Sequence, residues 1–329
     1  MTPVTLIPFV YNDLMAQVDR DNPVRAKSSD SDLSLIEFMR QFPDDAACMD
    51  FLWRERFSDD GIHALCDKCE AATPFKAYET SQRRGKARTC TRCGTHKSIL
   101  AGTIFEGSST SLHLWFYAMY LMGSTRCGIS AKQLERELGV TYKTAWRMMN
   151  KIRTELMNDS EDGPLNGEVE ADETAWGGKP RKKHANRSEG AIFRERKATV
   201  LGMVERGGRV RVRVVPSRRG DGFSREVRAN INPDSILYTD DWIAYKPLSK
   251  EFAEHRVINH SAGSYVEGSI YTNTIEGFFG NMKTGMRGAY KKVSRKYLQS
   301  YVDEYAWRYN ARHERGSMFG QLLARAARS

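Results

Sequence analysis

The chain has 329 residues, enough for two or three domains with cores of their own, and carries 51 Lys and Arg against 41 Asp and Glu, a net charge of +10. With a pI near 9.3, this balance favours a polyanionic partner and argues against an acidic one. No run approaches the ~18 apolar residues of a spanning helix, and Met1 to Val10 lacks the positive leading region of a secretory signal. A membrane protein is therefore set aside, and a soluble, cytoplasmic chain is expected.

In chain order, residues 1–32 are polar and mixed and read as a flexible arm. Leu33 to Arg56 carries apolar residues at helical spacing, with Pro43 dividing two helices. A cysteine module follows and closes a unit over 33–106. Its two pairs, Cys66-Asp-Lys-Cys69 and Cys90-Thr-Arg-Cys93, are separated by 20 residues. In a reducing compartment that spacing points to a tetrahedral Zn²⁺ ribbon rather than disulfides, with redox pairs as the other reading. Lys68, Lys76, Arg83, Arg84, Lys86, Arg88, Arg92 and Lys97 surround the module. They suit contact with phosphate, although a zinc ribbon also serves as a docking or purely structural unit. Cys48 and Cys127 stand alone and read as small buried hydrophobes.

Over 107–158 an apolar helix, Leu112 to Met122, precedes a helix-turn-helix pattern. Gly128 to Gly139 reads as a first helix closed by glycine, and Val140 to Arg153 as the second. Leu134, Leu138, Val140, Ala145 and Met148 would pack the two together. Thr141, Tyr142, Lys143, Thr144 and Arg147 would face outward, where a recognition helix meets DNA. An ordinary helical hairpin with a basic face has the same pattern, and Glu135 stands where this motif often has a small residue.

The polar stretch Asn158 to Gly167 reads as a linker, and the texture then changes to short strands. Ala198 to Val204 and Arg209 to Val215 flank Gly207-Gly208 as a hairpin; Ile236 to Tyr238 and Arg256 to Ile258 are further strands. Thr272 to Met286 and Ser294 to Tyr309 return to helix, and 313–329 reads as a tail. Within this region Asp172, Asp240 and Glu276 are candidate ligands for two divalent metals, the arrangement that serves in-line attack on a phosphodiester. Asp172 ends an apolar–acidic alternation, Asp240 follows a β-type run, and Glu276 lies in a helix that Thr272 or Asn273 could cap. Glu170, Glu173 and Asp241 compete for these roles; Glu170 shares the strand face of Asp172, and Glu173 does not. Lys283, two turns beyond Glu276, and Arg287, Lys291 and Lys292 extend a basic face that suits DNA or plain solvent. His260 and the basic loop Lys179 to His184 rank lower. Trp176, Trp242 and Tyr245 read as packing residues.

The ordered blocks resemble a known family, the zinc-ribbon DDE transposases of bacterial insertion sequences, related to the Merlin elements of eukaryotes. Phe42-Pro43, the four cysteines and Ala101-Gly-Thr-Ile-Phe-Glu106 carry the resemblance in the first half. Asp172-Glu173 with Gly177-Gly178-Lys179, Thr239-Asp240, Thr272-Asn-Thr-Ile-Glu-Gly-Phe278, Lys283 to Tyr290 and Tyr305-Ala-Trp-Arg-Tyr-Asn310 carry it in the second. The resemblance implies a multidomain α+β chain: an N-terminal zinc ribbon and a helical helix-turn-helix region, then an RNase H-like α/β catalytic domain over 166–312. It implies that Asp172 and Asp240 carry two Mg²⁺ or Mn²⁺ ions and that Glu276 completes one site. Some members have Asn as third ligand, and Asn273 is the alternative here. Cleavage at the element's ends and attack of the freed 3′-hydroxyl on target DNA would follow, by a homodimer or higher assembly on double-stranded DNA in the bacterial nucleoid. A non-catalytic DNA-binding regulator, or a nuclease on the same fold, shares parts of the pattern.

Overall fold

The computed structural model describes residues 33–77, 86–125, 127–158, 162–177, 197–215, 221–258, 272–312 and 317–328. The arm 1–32, Arg83, Arg84, Gly178, the loop Lys179 to His184 and His260 lie outside these residues. Among the described residues no helix is long and apolar enough to cross a membrane.

Helix α1 (Leu35–Gln41) starts at Ser34 with a capping box completed by Glu37, and α2 (Asp45–Phe57) starts at Asp44, whose carboxylate accepts from the Ala47 N–H. Pro43 separates them, as expected. Strands β1 (His63–Cys66), β2 (Ala71–Ala77), β3 (Ala87–Cys90) and β4 (His96–Ser98) form an antiparallel sheet in that order. The sheet is fastened to α2: Arg88 pairs with Asp50, donates to the Gly61 carbonyl and covers the Trp53 ring. Lys97 likewise donates to the Leu65 carbonyl and lies over Phe57. Two cations expected at phosphate are therefore used in holding the module together, while Lys68, Lys76, Lys86 and Arg92 are exposed.

Helices α3 (Leu112–Ser124), α4 (Ala131–Leu138) and α5 (Tyr142–Lys151) complete the N-terminal half, and a π-helical turn, Ile152–Leu156, continues α5. Helix α5 thus begins two residues later than its expected start at Val140, because Thr141 is its N-cap. Cys48 is buried, as expected; Cys127 is exposed, because it sits in the loop between α3 and α4 rather than on a packed face.

The second half is a three-layer sandwich. Its five strands, β5 (Glu168–Trp176), β6 (Ala198–Glu205), β7 (Val210–Val215), β8 (Ile236–Asp240) and β9 (Glu254–Ile258), run in the order β7-β6-β5-β8-β9. The β7-β6-β5 part is antiparallel, with the expected hairpin at Gly207, and β5-β8-β9 is parallel. Helix α6 (Asp221–Asn230) and the 3-10 segment Ile243–Leu248 cover one face through Phe223, Val227, Tyr245 and Leu248. Helices α7 (Asn273–Ala289) and α8 (Leu298–Ala311) cover the other through Ile275, Phe278, Phe279, Met282, Val302 and Tyr305.

The tail expected over 313–329 is instead helix α9 (Met318–Arg328), which returns to the N-terminal half. Phe319, Leu322, Leu323, Ala326 and Ala327 are buried against α2 and α3, with Phe319 edge-on to Phe38 and Phe42. Each fully buried Leu or Phe side chain contributes ~1.5–3 kcal/mol, so this helix is a structural member of the first core. A buried charge cluster also joins the halves. Arg153, in the π turn, donates to Glu304 of α8 at 2.7 Å, and Arg308 and Tyr290 donate to the same carboxylate. Burial alone would raise Glu304, but Arg153 and Arg308 outweigh it and hold the carboxyl at about 2.

Candidate active site

Strand β5 pairs with β8 only over Glu168–Glu170 against Ile236–Tyr238. Two residues further along each strand stand Asp172 and Asp240, past the last rung of the parallel ladder. Asp240 ends β8, as expected. Asp172 does not end β5, which runs on to Trp176 because β6 pairs with it along the whole length. In open α/β sheets the opening beyond the carboxyl ends of parallel strands is where ligands bind.

Asp172 faces the α7 side of the sheet and lies within electrostatic reach of Asp240, Glu276 and Lys283. Burial raises its carboxyl most, and the charges of Asp240 and Glu276 add to that. A hydrogen bond from the Glu173 backbone and the charge of Lys283 oppose them, leaving the group raised to about 6. Asp240 accepts the Trp242 N–H at 3.2 Å, and Trp242 packs on Phe223 and Tyr245, which fixes the turn after β8. Glu276, exposed in the first turn of α7, accepts from the Thr272 hydroxyl at 3.3 Å. Asn273 is exposed at the first position of the same helix. Lys283 is lowered from its usual range, first by burial and then by Arg287, while Asp172 opposes the shift.

The competitors have other partners. Glu173 points to the opposite face, where the buried Tyr245 hydroxyl donates to it at 3.4 Å; Asp241 is exposed. Glu170 is fully buried and accepts from the Thr274 N–H (3.0 Å), the Thr274 hydroxyl (3.0 Å), the Ile275 N–H (3.2 Å) and Arg206 Nε (3.0 Å). It therefore caps α7, 104 residues away in sequence. Thr272 occupies the N-cap position with no side-chain capping bond, so the expectation that Thr272 or Asn273 caps this helix is corrected. Gly202 lies across from Asp172 on β6, and a Cβ there would stand 2.6 Å from the Phe279 ring and 2.7 Å from Ile275. Its missing side chain lets α7 sit directly on the sheet. A glycine inside an apolar strand was the available signal for this close approach; Glu170 gave none beyond its strand parity.

The four cysteine sulfurs lie within 4.8 Å of one another, the cluster of that kind among the described residues. Cys66 and Cys93 are 3.5 Å apart, and Cys69 and Cys90 are 3.9 Å apart. The edge of a tetrahedron with ~2.3 Å metal–sulfur bonds is about 3.8 Å, so the set fits a metal ion such as zinc. Both knuckles turn alike: the residue after the second cysteine has positive φ in each, 50° at Glu70 and 77° at Gly94. Thr73 bonds Cys90 at 3.1 Å and, as the largest cause, helps lower that thiol to about 6. A side-chain hydrogen bond with Cys93 and then desolvation push the free Cys69 thiol up to about 12. Chelation, or Cys66→Ser, is expected to remove about one bound metal per chain and to loosen β1–β4. Metal analysis alongside thermal melting checks this; a chain that melts identically with and without the ion overturns it.

Helices α4 and α5 meet at Gly139, left-handed at φ 64°. Leu134, Leu138, Ala145 and Met148 are buried between them, with Val140 partly buried. Thr141, Tyr142, Lys143 and Arg147 are exposed, and Thr144 is half-buried. The Thr141 hydroxyl caps α5 by accepting the Thr144 N–H and bonds the Thr144 hydroxyl at 3.1 Å. Both threonines therefore serve the helix start. Lys132 pairs with Glu135 and covers the Tyr142 ring.

Residues 164–310 match the family described as the ISXO2-like transposase domain. The chain is 30% identical over 229 residues to the "Uncharacterized protein in transposable element ISH50" of Halobacterium salinarum, covering 66% of this chain and 75% of that one. It is 30% identical over 97 residues to the "Uncharacterized transposase-like protein" of Haemophilus influenzae, covering 30% of this chain and 77% of that one. Taken with the four-cysteine cluster ahead of the matched region, these likenesses show that the chain belongs to the insertion-sequence transposases with an ISXO2-like domain.

Proposed function

We propose that this chain is a DDE transposase that binds the ends of its element and carries out metal-dependent DNA cleavage and strand transfer, with Asp172, Asp240 and Glu276 as the acidic triad. The observation that carries it is the placement of Asp172 and Asp240 two residues past the last rung of the β5–β8 ladder, with Glu276 within electrostatic reach of Asp172 from α7. A carboxyl raised first by burial and then by two like charges is a site that a divalent cation relieves. The strand order β7-β6-β5-β8-β9, antiparallel then parallel, supports an RNase H-like reading of residues 166–312. Its charge supports Glu276 over Asn273 as third ligand.

Mg²⁺ or Mn²⁺ bound there would activate the attacking oxygen and stabilise the leaving one. Asp172 and Asp240 would hold the ion where the β5–β8 ladder opens, and the Trp242 N–H fixes the Asp240 carboxylate. Glu276 closes the third side from α7. Lys283 presents a cation toward Asp172, where a phosphate oxygen gains charge during the displacement. Lys143 and Arg147, with Tyr142, form the outward face of α5 for DNA, and the cysteine cluster is a structural Zn²⁺ site. Two element ends are joined in one reaction, which calls for at least two protomers on DNA.

The test incubates the purified chain and Mg²⁺ with the gene's own flanking DNA and a target plasmid, beside a metal-free control. Joined products that require the metal are expected. Hydrolysed ends without joining would move the reading to a nuclease, and binding without cutting in Mg²⁺ and Mn²⁺ to a regulator.

A further inference from the structure

Between α7 and α8 the chain makes a turn that places Lys291, Lys292, Arg295 and Lys296 within six residues, all exposed. The turn is held at both ends. Tyr290 donates its hydroxyl to buried Glu304 at 2.7 Å, and Tyr297 packs edge-on against Trp146 of α5 with ring centroids 5.0 Å apart. Between them Val293 packs on the α7–α8 core, and Lys291 takes a left-handed backbone at φ 57°. Arg153, one residue into the π turn that continues α5, covers both Tyr290 and Tyr301. Helix α5 and this turn are therefore parts of one rigid surface, although more than a hundred residues separate them in sequence.

Some surface cations of the chain have acids beside them: Arg228 with Glu251, Arg256 with Glu254, Lys132 with Glu135. Lys291, Lys292 and Lys296 have no acidic side chain within ion-pair distance among the described residues. A rigid cluster of like charges on a turn packed against Trp146 of α5, the helix that also carries the exposed Lys143 and Arg147, costs stability unless a polyanion neutralises it. On the other side the turn continues the basic line of α7. Glu276, Lys283 and Arg287 follow one another at seven and four residues, on one helix face. With 17 residues at ~1.5 Å each, α7 is about 25 Å long, the length of roughly seven base pairs at ~3.4 Å.

We propose that the Lys291–Lys296 turn is a phosphate clamp that joins the outer face of α5 to the acidic triad, so that one duplex is held by α5, gripped at the turn and led along α7 to the site. This rests on the transposase reading and adds the path of the DNA to it.

The test replaces Lys291, Lys292 and Lys296 together by Gln and measures binding to duplexes from the gene's flanks, and to a scrambled duplex, across a salt series. These side chains are exposed, so a melting temperature equal to or above that of the wild type serves as the folding control. The slope of log affinity against log salt should fall by roughly three, and affinity near physiological salt by at least about tenfold. The preference for flank over scrambled DNA should hold, because phosphate contacts position and do not specify. An unchanged slope and affinity overturn the clamp while leaving the transposase reading in place. Wild-type chain that binds neither duplex overturns both.

Discussion

Asp172→Asn is expected to reduce cleavage and joining by at least about a thousandfold while DNA affinity stays level or rises slightly. Asn has the size and shape of Asp and keeps an oxygen for the Glu173 backbone bond, but it brings no charge to a cation shared with Asp240 and Glu276. Several kcal/mol of transition-state stabilisation pass through such an ion, at tenfold for each ~1.4 kcal/mol. The same substitution has a signature apart from activity. Asp172 is raised from 3.8 to about 6, chiefly by burial and then by its acidic neighbours. A carboxyl raised in the fold adds stability only while protonated: that contribution is whole below pH about 4 and lost as pH rises through about 6. At pH 8 without metal, the Asn variant should therefore be the more stable protein, by up to about 3 kcal/mol, and the difference should vanish by pH 4. Mg²⁺ should raise the melting temperature of the wild type at pH 8 far more than that of the variant, and less at pH 5. Melting curves across this range decide it. Equal, metal-indifferent melting of both proteins at pH 8 would remove Asp172 from the metal site.

How much of this was legible in the sequence depended on whether the partner of a residue was local. The hairpin at Gly207-Gly208, the break at Pro43, the paired knuckles and the opposite facing of Glu170 and Glu173 are set by turn chemistry and by the two-residue period of a strand. Each was readable within a few positions. The course of β5 beyond Asp172 was not, because β6 dictates it. Helix α9 has its apolar residues at helical spacing, yet the core that buries them belongs to the first half of the chain. Charge misled for the same reason. Arg88 and Lys97 look like phosphate contacts until Asp50, Trp53 and Phe57 are seen beneath them. Thr141 and Thr144, expected to face DNA, also cap the start of α5, a role that only the structure reveals. The proposed triad was legible as a candidate because its three positions are spread over separate blocks whose order is informative; Glu170 was hidden because its role is a hydrogen-bonding one across 104 residues.

That hidden residue carries the second large effect. Glu170→Ala is expected to destabilise the fold strongly. It would leave the Thr274 and Ile275 amides without their acceptor and Arg206 without its buried partner, though Arg206 keeps Glu168 at 2.8 Å and the Tyr238 ring beneath it. Each orphaned buried group costs ~1–3 kcal/mol, and breaking a buried ion pair from one side ~3–5 kcal/mol; these overlap, so a loss of about 3–5 kcal/mol is expected in denaturant unfolding. Glu170→Gln separates position from stability. Gln fills the same volume and keeps one acceptor oxygen, so the fold should survive, but the first turn of α7 is held less firmly. Since Asp172 stands on the same strand face and Glu276 in that first turn, the spacing between them depends on this one carboxylate. A displacement of ~1 Å at a reacting centre costs about a hundredfold in rate. Slower cleavage by about that factor is therefore expected for Glu170→Gln, with unchanged DNA affinity, a higher Mg²⁺ requirement and faster hydrogen exchange at the Thr274 and Ile275 amides. Exchange that speeds up while cleavage and metal requirement stay at wild-type levels would mean that the cap steadies the helix without setting the triad. If the rate, the metal requirement and the exchange change together, the strand that bears the first aspartate also fixes where the glutamate stands.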